Sequence, residues 1–322
     1  MIIQKISKAC NLNKITLTSF FIACVSGIAV SHSAFSQEDK IPVRDVTHLF
    51  DTKIKSPALN LPTDVAVTGS GEIVVVDSGN DRVVIFNNKG KSIKTFGSSG
   101  SKPGQFNGPM GVTVDGRGNI YVADKNNNRI QVFDNRGKYL RLIKTGSASN
   151  PVKPVDVAIS KDARRLYVTD NHGHHIIVYS QKGKQLEVWG GKGVDKARFR
   201  YPATLDMGKD NELYVVDVLN SRIQILDNKG EHIFDVGSWG VLPGQLFRPK
   251  GVVIDNSGNV YVSDSYMELI QVYDSEHRFS HVIGNKGVIR KFSAPTGIAV
   301  HGNRLYVAEM LKNVVSVYRI GE

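Results

Sequence analysis

The chain has 322 residues, of which 41% are hydrophobic, and its 41 Lys and Arg against 30 Asp and Glu give a formal net charge of +11. That length allows two ordinary domains or one large β architecture, because β folds often exceed two hundred residues as single units. Both cysteines, Cys10 and Cys24, lie within the first 36 residues. The rest of the chain therefore lacks a disulfide, a thiolate nucleophile, a cysteine metal ligand and a covalent haem attachment.

Residues 1–36 have the layout of a secretory signal peptide. Three lysines precede an apolar run over 15–30, and small residues at Ala34 and Ser36 precede Gln37. The run is short for a membrane span, and a lipoprotein signal with Cys24 lipidated is disfavoured because the apolar run continues beyond that residue. We therefore expect a mature chain of residues 37–322, without a membrane span, that is periplasmic or secreted.

A repeat with a period near 47 residues occupies the mature chain. A proline recurs at spacings of 47, 45, 48, 47 and 46 residues, at Pro62, Pro109, Pro154, Pro202, Pro249 and Pro295. An acidic residue recurs in step with it, at Asp77, Asp124, Asp170, Asp217, Asp264 and Glu309. Self-similarity at such a period is typical of repeat architectures, and it predicts six copies that begin near those prolines.

Each copy predicts four short β-strands. In the second copy the segments GVTVD, NIYVAD, RIQVFD and YLRLIK are separated by Gly, Asn and Asp clusters typical of tight turns. One sheet of this size cannot bury both faces, so the copies must stack, and radial stacking predicts an all-β, six-bladed propeller of four-stranded antiparallel blades. The sixth copy ends after its third strand, and residues 43–50 match the outermost strand of other copies. We therefore expect the N-terminal strand to complete the last blade.

The strings YVADKNNNRIQVFD, VVVDSGNDRVVIFN and YVVDVLNSRIQILD, each followed by a Gly-Lys or Gly-Glu turn, resemble NHL repeats. The resemblance covers residues 43–322 and implies a six-bladed NHL β-propeller of the secreted bacterial type. The family includes binding scaffolds, RNA binders, sensor domains and several enzymes, so the resemblance is specific for fold and much less so for function.

Two repeated features favour a structural interpretation. A carboxylate beside a turn amide and a guanidinium satisfies a tight loop locally, which is how we interpret the D-x-x-N-x-R pattern in copies one, two and four. Its residues are Asp77, Asn80 and Arg82; Asp124, Asn127 and Arg129; and Asp217, Asn220 and Arg222. Phenylalanines recur shortly before the prolines, and we expect them to plug the gaps between blades rather than to stack on a ligand. They are Phe106, Phe199, Phe247 and Phe292.

Enzymes among similar propellers provide a test. Peptide-amidating lyases of this repeat type carry metal-binding histidines along the central channel, and six-bladed lactonases use acidic and amide ligands there. In this chain the channel mouth is predicted to consist of Thr63, Met110, Val155, Ala203, Lys250 and Thr296, followed by Asp64, Gly111, Asp156, Thr204, Gly251 and Gly297. That set has no histidine and two acids, whereas a catalytic zinc needs about three converging protein ligands. We expect no cofactor and no catalytic residue, and retain a metal-dependent lyase or lactonase as the alternative.

Positive charge concentrates in the crossovers, the connections from the last strand of one blade to the first strand of the next. They are residues 51–62, 97–109, 145–154, 190–202, 237–249 and 284–295. Together they hold 12 Lys and Arg against two Asp, a charge of +10, whereas residues 37–322 carry +8 once the three signal lysines are removed from +11. Such asymmetry attracts anionic partners, although lysine-rich crossovers also serve solubility alone.

We expect the crossovers to lie on the same face of the propeller as the loops that follow the second strand of each blade. Apolar residues at the tips of those loops, such as Tyr266 and Met267, either form a docking patch or pack on neighbouring loops. The predicted partner-binding residues are Lys192, Lys196, Arg198, Arg200, Lys250, Tyr266, Met267, Lys286, Arg290 and Lys291.

Three histidines fall within DNHGHHI at 170–176. His175 occupies the position of the loop arginine in the other copies, so we expect it to replace that loop partner. His172 and His174 remain as metal-ligand candidates, two ligands at most, which also titrate near neutral pH.

The function predicted from these patterns is a non-enzymatic binding scaffold that presents a basic loop face to a protein or an acidic polysaccharide. The expected protein is a monomer. Nucleic acid is disfavoured as a partner because a secretion signal takes the chain away from RNA.

Overall fold

A computed structural model describes residues 41–52, 58–147, 149 and 151–321, so the predicted signal peptide lies outside the described residues. Apart from four single 3₁₀ turns, the regular structure in this part of the chain consists of β-strands. None of the described residues forms a helix that is long and apolar enough to cross a membrane.

The strands form six sheets, numbered here as blades in chain order. Blades one and two comprise β3 (Pro62–Val67), β4 (Ile73–Asp77), β5 (Arg82–Phe86) and β6 (Ser92–Phe96), then β7 (Pro109–Val114), β8 (Ile120–Asp124), β9 (Arg129–Phe133) and β10 (Tyr139–Lys144). Blades three and four comprise β11 (Pro154–Ile159), β12 (Arg165–Asp170), β13 (His175–Ser180) and β14 (Gln185–Gly190), then β15 (Pro202–Met207), β16 (Leu213–Asp217), β17 (Arg222–Leu226) and β18 (His232–Val236). Blade five comprises β19 (Pro249–Ile254), β20 (Val260–Asp264), β21 (Leu269–Tyr273), β22 (Phe279–Asn285) and the short β23 (Val288–Ile289). Blade six comprises β24 (Pro295–His301), β25 (Arg304–Glu309), β26 (Val314–Arg319) and the N-terminal β2 (Thr47–Asp51).

The first strands of the blades form the inner ring. Each contacts the first strand of the next blade, and β24 of blade six contacts β3 of blade one, which closes a six-bladed propeller. Hydroxyls link these strands: Thr63 Oγ1 donates to the Met110 carbonyl at 2.7 Å, and Thr204 Oγ1 donates to the Lys250 carbonyl at 2.7 Å. The predicted fold class is confirmed.

Burial along each blade follows from stacking. Second strands such as β4 are apolar except at their terminal Asp and are buried at every position, because both faces of the sheet are covered by neighbouring blades. Last strands such as β6 are mostly exposed. The hydrophobic core is accordingly divided into clusters that lie between adjacent blades, each joining residues of two neighbouring sheets.

The N-terminal segment closes the ring, as predicted, and it does so on two blades. β2 pairs antiparallel with β26, with Thr47 opposite Arg319 and Asp51 opposite Ser316. β1 (Val43–Asp45) instead pairs parallel with β22 of blade five. The match of residues 43–50 to a last strand therefore holds from Thr47 onward.

Three of the four predicted phenylalanine plugs are confirmed. Phe106, Phe199 and Phe292 are at most 1% exposed and lie in interblade clusters. The prediction for Phe247 is wrong, because the plug position is three residues before the proline and Leu246 occupies it in this crossover. Phe247, only two residues before Pro249, is half-buried at the surface.

Candidate ligand-binding face

The repeated carboxylates hold the loops that follow the second strands. Asp124 accepts hydrogen bonds from Arg129 Nε at 2.7 Å, from Asn127 Nδ2 at 2.9 Å and from the Asn107 backbone N–H at 2.8 Å. The same network forms around Asp77 and Asp217. The structural interpretation of D-x-x-N-x-R is confirmed, since each carboxylate is bonded by the Asn and Arg of its own loop and by a backbone N–H of the preceding crossover.

The arginines of this pattern also place the crossovers. Arg129 donates to the Ser101 carbonyl at 2.8 Å and to the Lys102 carbonyl at 3.0 Å, and Arg222 donates to the Val194 and Asp195 carbonyls at 2.9 and 2.8 Å. A loop after a second strand is thus bonded directly to the preceding crossover. Both kinds of segment lie on one side of the ring, which we call the crossover face.

The crossover of residues 190–202 supplies exposed positive charge to this face. Lys192, Lys196, Arg198 and Arg200 are all exposed. Arg198 also has a structural contact, since its Nη1 donates to the Gly190 carbonyl at 2.9 Å.

The crossover of residues 284–295 is basic as well, but two of its cations are engaged. The Arg290 guanidinium lies 4.5 Å from the centre of the Tyr318 ring, and Lys291 Nζ donates to the Met267 carbonyl at 2.8 Å. Lys286 is exposed. Arg290 and Lys291 therefore stabilise the face in addition to charging it.

The central channel opens on the crossover face in a cavity of about 460 Å³. Its lining includes all six residues predicted for the mouth: Thr63, Met110, Val155, Ala203, Lys250 and Thr296. Arg248 and Tyr201 complete one side of it. Burial and the nearby positive charges of Arg248 and Lys125 lower the pKa of Lys250. The mouth is therefore mostly apolar, with Arg248 and Lys250 in its lining and with Asp64, which it shares with the deeper part of the channel.

Three aspartates line the deeper part of the channel, a cavity of about 240 Å³. Asp64 accepts from the Val112 N–H at 2.8 Å, Asp156 from the Leu205 N–H at 3.0 Å and Asp206 from the Ile254 N–H at 2.9 Å. Each carboxylate thus reaches from its own inner strand to that of the next blade. Asp206 escaped the sequence analysis, which stopped two residues after each proline; the period-2 alternation of a strand places it on the same side as Thr204.

Burial raises the pKa of all three channel carboxyls, and repulsion among them adds to the rise for Asp64 and Asp156. Burial raises the pKa of Asp64 to about 7, and the Asp206 charge adds to that rise. Burial and the charge of Asp64 raise the pKa of Asp156, and burial raises that of Asp206 to about 6. Within residues 41–52, 58–147, 149 and 151–321, no three His, Cys, Asp or Glu side chains converge as metal ligands. The donor set of the channel therefore does not fit the three-ligand site of a metal-dependent lyase.

The two histidine candidates for metal lie beside the channel mouth. His174 has a left-handed backbone, with φ of 61°, and its Nδ1 accepts the Tyr201 N–H at 3.0 Å. Its ring meets that of Tyr201 edge-on at 4.9 Å, and burial followed by the charge of Lys192 lowers the pKa of His174. His172 is exposed. His174 therefore orients the crossover through Nδ1 and retains only Nε2 for another ligand.

An apolar surface on blades four and five completes the face. Tyr266 is 65% exposed and stacks on Phe247 with ring centres 4.4 Å apart, and Trp239 is 72% exposed with its ring 6.4 Å from Phe247. Sequence reasoning found Tyr266 and missed Trp239, although aligning the crossovers with one another would have revealed it. Arg248, which lines the channel mouth, lies 5.6 Å from the Phe247 ring.

Comparison with known proteins agrees with this architecture. A family model described as NHL repeat matches residues 59–86, 106–133 and 248–273, in blades one, two and five. A search of curated proteins gave no match.

Solved structures share the fold at low sequence identity. A protein of unknown function from Bacteroides thetaiotaomicron is 18% identical, with a TM-score of 0.64 over 86% of this chain and 74% of its own. A gluconolactonase from Xanthomonas campestris is 16% identical, with a TM-score of 0.63 over 86% of this chain and 89% of its own. Virginiamycin B lyase from Staphylococcus aureus is 15% identical, with a TM-score of 0.59 over 84% of this chain and 99% of its own. At these identities the likeness concerns the fold alone.

Proposed function

We propose that this six-bladed β-propeller, which carries NHL repeats in blades one, two and five, is a periplasmic or secreted binding protein whose crossover face holds an anionic partner. The observation that carries the proposal is the convergence of exposed basic residues of the 190–202 crossover with an apolar, cation-edged channel mouth on one face. The location rests on the signal-like residues 1–36.

Charge and geometry together favour binding over catalysis. The crossovers hold 12 basic and two acidic residues, and Arg248 and Lys250 extend that charge to the edge of the channel mouth. A surface of one sign accelerates encounter with partners of the opposite sign and makes association sensitive to salt.

Three substitutions test the proposal. Replacing Lys192, Lys196 and Arg200 by Glu reverses exposed charges. Arg200 also has backbone hydrogen bonds, from its N–H to Asp217 and to its carbonyl from the Leu219 N–H, and the substitution retains both. The matched control replaces three exposed lysines of turns on the opposite face by Glu: Lys89, Lys182 and Lys229.

The readout is chemical crosslinking of the tagged full-length chain in its native cell envelope, followed by mass spectrometry of the crosslinked species. We expect the same partners with the wild type and the control, loss of those partners with the reversed crossover, and equal melting temperatures for all three chains. Identical partners for all three would refute the assignment of the face.

The alternative is a metal-dependent lyase or lactonase, and the roomy cavity at the channel mouth is the observation in its favour. It requires ligands from outside the set that the described residues provide. One equivalent of tightly held zinc or calcium per purified chain would favour it over the binding protein.

A further inference from the structure

Two crossovers of this propeller are near copies of each other in sequence. GSSGSKPGQFNGP at 97–109 and GSWGVLPGQLFRP at 237–249 have the same length and are identical at seven of thirteen positions. Four of the differences replace a polar side chain by an apolar one. They are Ser99 and Trp239, Ser101 and Val241, Lys102 and Leu242, and Asn107 and Phe247.

The two crossovers also have the same backbone. The N–H of Gly100 donates to the Phe106 carbonyl at 2.9 Å, and that of Gly240 donates to the Leu246 carbonyl at 3.0 Å. The side chain of a third-strand glutamine, Gln131 in blade two, accepts from the Gly104 N–H at 2.9 Å, and the equivalent bond in blade five is 2.8 Å. The polar copy shows that this loop folds without apolar side chains at the four positions.

Three of those four apolar side chains are exposed, and the fourth, Phe247, is half-buried. Trp239, Val241 and Leu242 are 72%, 63% and 57% exposed. Phe247 makes a stacked pair with Tyr266, whereas the polar copy has Asn107 bonded to Asn126 at 3.2 Å. An apolar cluster that the local fold does not require and that water surrounds is typical of an interaction site.

Cations border this cluster. The Arg248 guanidinium lies over the Phe247 ring at 5.6 Å, and Lys291 Nζ bonds to the carbonyl of Met267, the residue after Tyr266. Lys250 lies at the adjoining channel mouth. A second copy of this chain is a poor occupant, because it would bring two basic faces together. The aliphatic Val241 and Leu242 suit apolar side chains of a polypeptide better than the polar surface of a polysaccharide.

We propose that Trp239, Val241, Leu242, Phe247 and Tyr266, here called the apolar patch, dock a polypeptide segment that carries both acidic and large apolar side chains. This inference rests on the proposed binding function and specifies the partner chemistry and the anchor residues. Trp and Tyr are the residue types that dominate binding energy in protein interfaces, where loss of one costs roughly 30-fold or more in affinity.

The polar crossover at 97–109 defines the test variant. Trp239→Ser, Val241→Ser, Leu242→Lys and Phe247→Asn convert the second crossover to the side chains of the first. The control, Ile93→Ser with Leu140→Ser, removes exposed apolar side chains from the last strands of blades one and two. The probe is a displayed library of random 12-residue peptides, selected on the full chain, and the best peptides are then measured by fluorescence anisotropy.

We expect peptides enriched in Asp or Glu together with Phe, Trp or Leu, bound at least about 30-fold more weakly by the four-residue variant and unchanged by the control. Equal binding by wild type and variant would overturn the inference. Trp239→Ser alone, which keeps the half-buried Phe247, is measured beside it, and equal binding by that folded variant would overturn the inference as well. Variant-sensitive binding of a polygalacturonate oligosaccharide without peptide binding would instead assign an acidic glycan. A dimer in analytical ultracentrifugation that the variant dissociates would assign a second copy.

The outcomes also separate this inference from the broader proposal. Envelope partners that depend on Lys192, Lys196 and Arg200 and not on the apolar patch would preserve the binding function and remove the patch from it. Peptide binding that depends on the patch, with envelope capture unaffected by charge reversal, would preserve the docking role of the apolar patch and remove the basic crossover from the binding function.

Discussion

The buried carboxyl of Asp64 predicts a pH dependence of stability. Its pKa of about 7 in the folded chain lies well above its ordinary value of 3.8, so the folded chain holds this proton more tightly than the unfolded chain does. The stabilising contribution is therefore complete below about pH 4 and is lost as pH rises toward 7. We expect Asp64→Asn to remove this loss, because the amide is uncharged and its oxygen still accepts the Val112 N–H.

The magnitude follows from the two pKa values. Each unit of difference corresponds to about 1.4 kcal/mol, so between pH 5 and pH 8 the Asp64 carboxyl alone costs the wild type about 3 kcal/mol of unfolding free energy that the Asn variant retains. The raised pKa values of Asp156 and Asp206 add a loss that both chains share. For a domain of this size that difference corresponds to roughly 6 °C in melting temperature. The measurement is urea denaturation followed by tryptophan fluorescence at pH 5, 6, 7 and 8.

The comparison needs an exposed carboxylate as its control. Asp210→Asn serves, because Asp210 is exposed, and this variant should follow the wild-type pH dependence. If wild type and Asp64→Asn lose stability in parallel from pH 5 to pH 8, the carboxyl is hydrated in the folded chain and our account of the channel is wrong.

Two further predictions concern the repeated elements. Gly190 has φ of 94°, and an added Cβ would lie 2.6 Å from the Phe199 ring. Gly190→Ala should therefore lower the unfolding free energy by about 2–3 kcal/mol in urea titrations. The control is Gly116→Ala, where a Cβ meets nothing within 4 Å, and it should change the unfolding free energy little. Asp124→Asn leaves the buried Arg129 guanidinium without its carboxylate and should lower the unfolding free energy by about 3 kcal/mol in the same assay. An unchanged urea midpoint for Gly190→Ala or for Asp124→Asn would contradict the role given to that residue.

Much of the fold could be predicted because the repeat is visible residue by residue. Every inner strand begins at one of the recurring prolines, and the missing strand of blade six, Thr47–Asp51, overlaps the predicted residues 43–50. The parallel pairing of Val43–Asp45 with blade five was not foreseen, because pairing between blades has no local pattern.

The errors at the site have a common origin in register. Phe247 lies two residues before its proline, whereas the plugging residues lie three residues before theirs. Asp206 lies four residues after Pro202, and the predicted channel positions end two residues after each proline. Trp239 lay in a crossover examined for charge rather than compared with its polar copy. The interblade bonds of Asp64 and Asp156, by contrast, depend on how inner strands sit beside one another, which the sequence does not record.

The pairing of β1 with blade five and of β2 with blade six sets an order of events in folding. Thr52, just after β2, exchanges backbone and side-chain hydrogen bonds with Val315, 263 residues along the chain. During synthesis β2 emerges before blades one to five and β26 emerges after them, so β2 must wait unpaired while those blades assemble. Contacts this distant in sequence form late. An open ring with exposed strand edges on blades five and six is therefore the species most prone to aggregation, and pairing of β1 with β22 and of β2 with β26, rather than the formation of any single blade, ends that exposure.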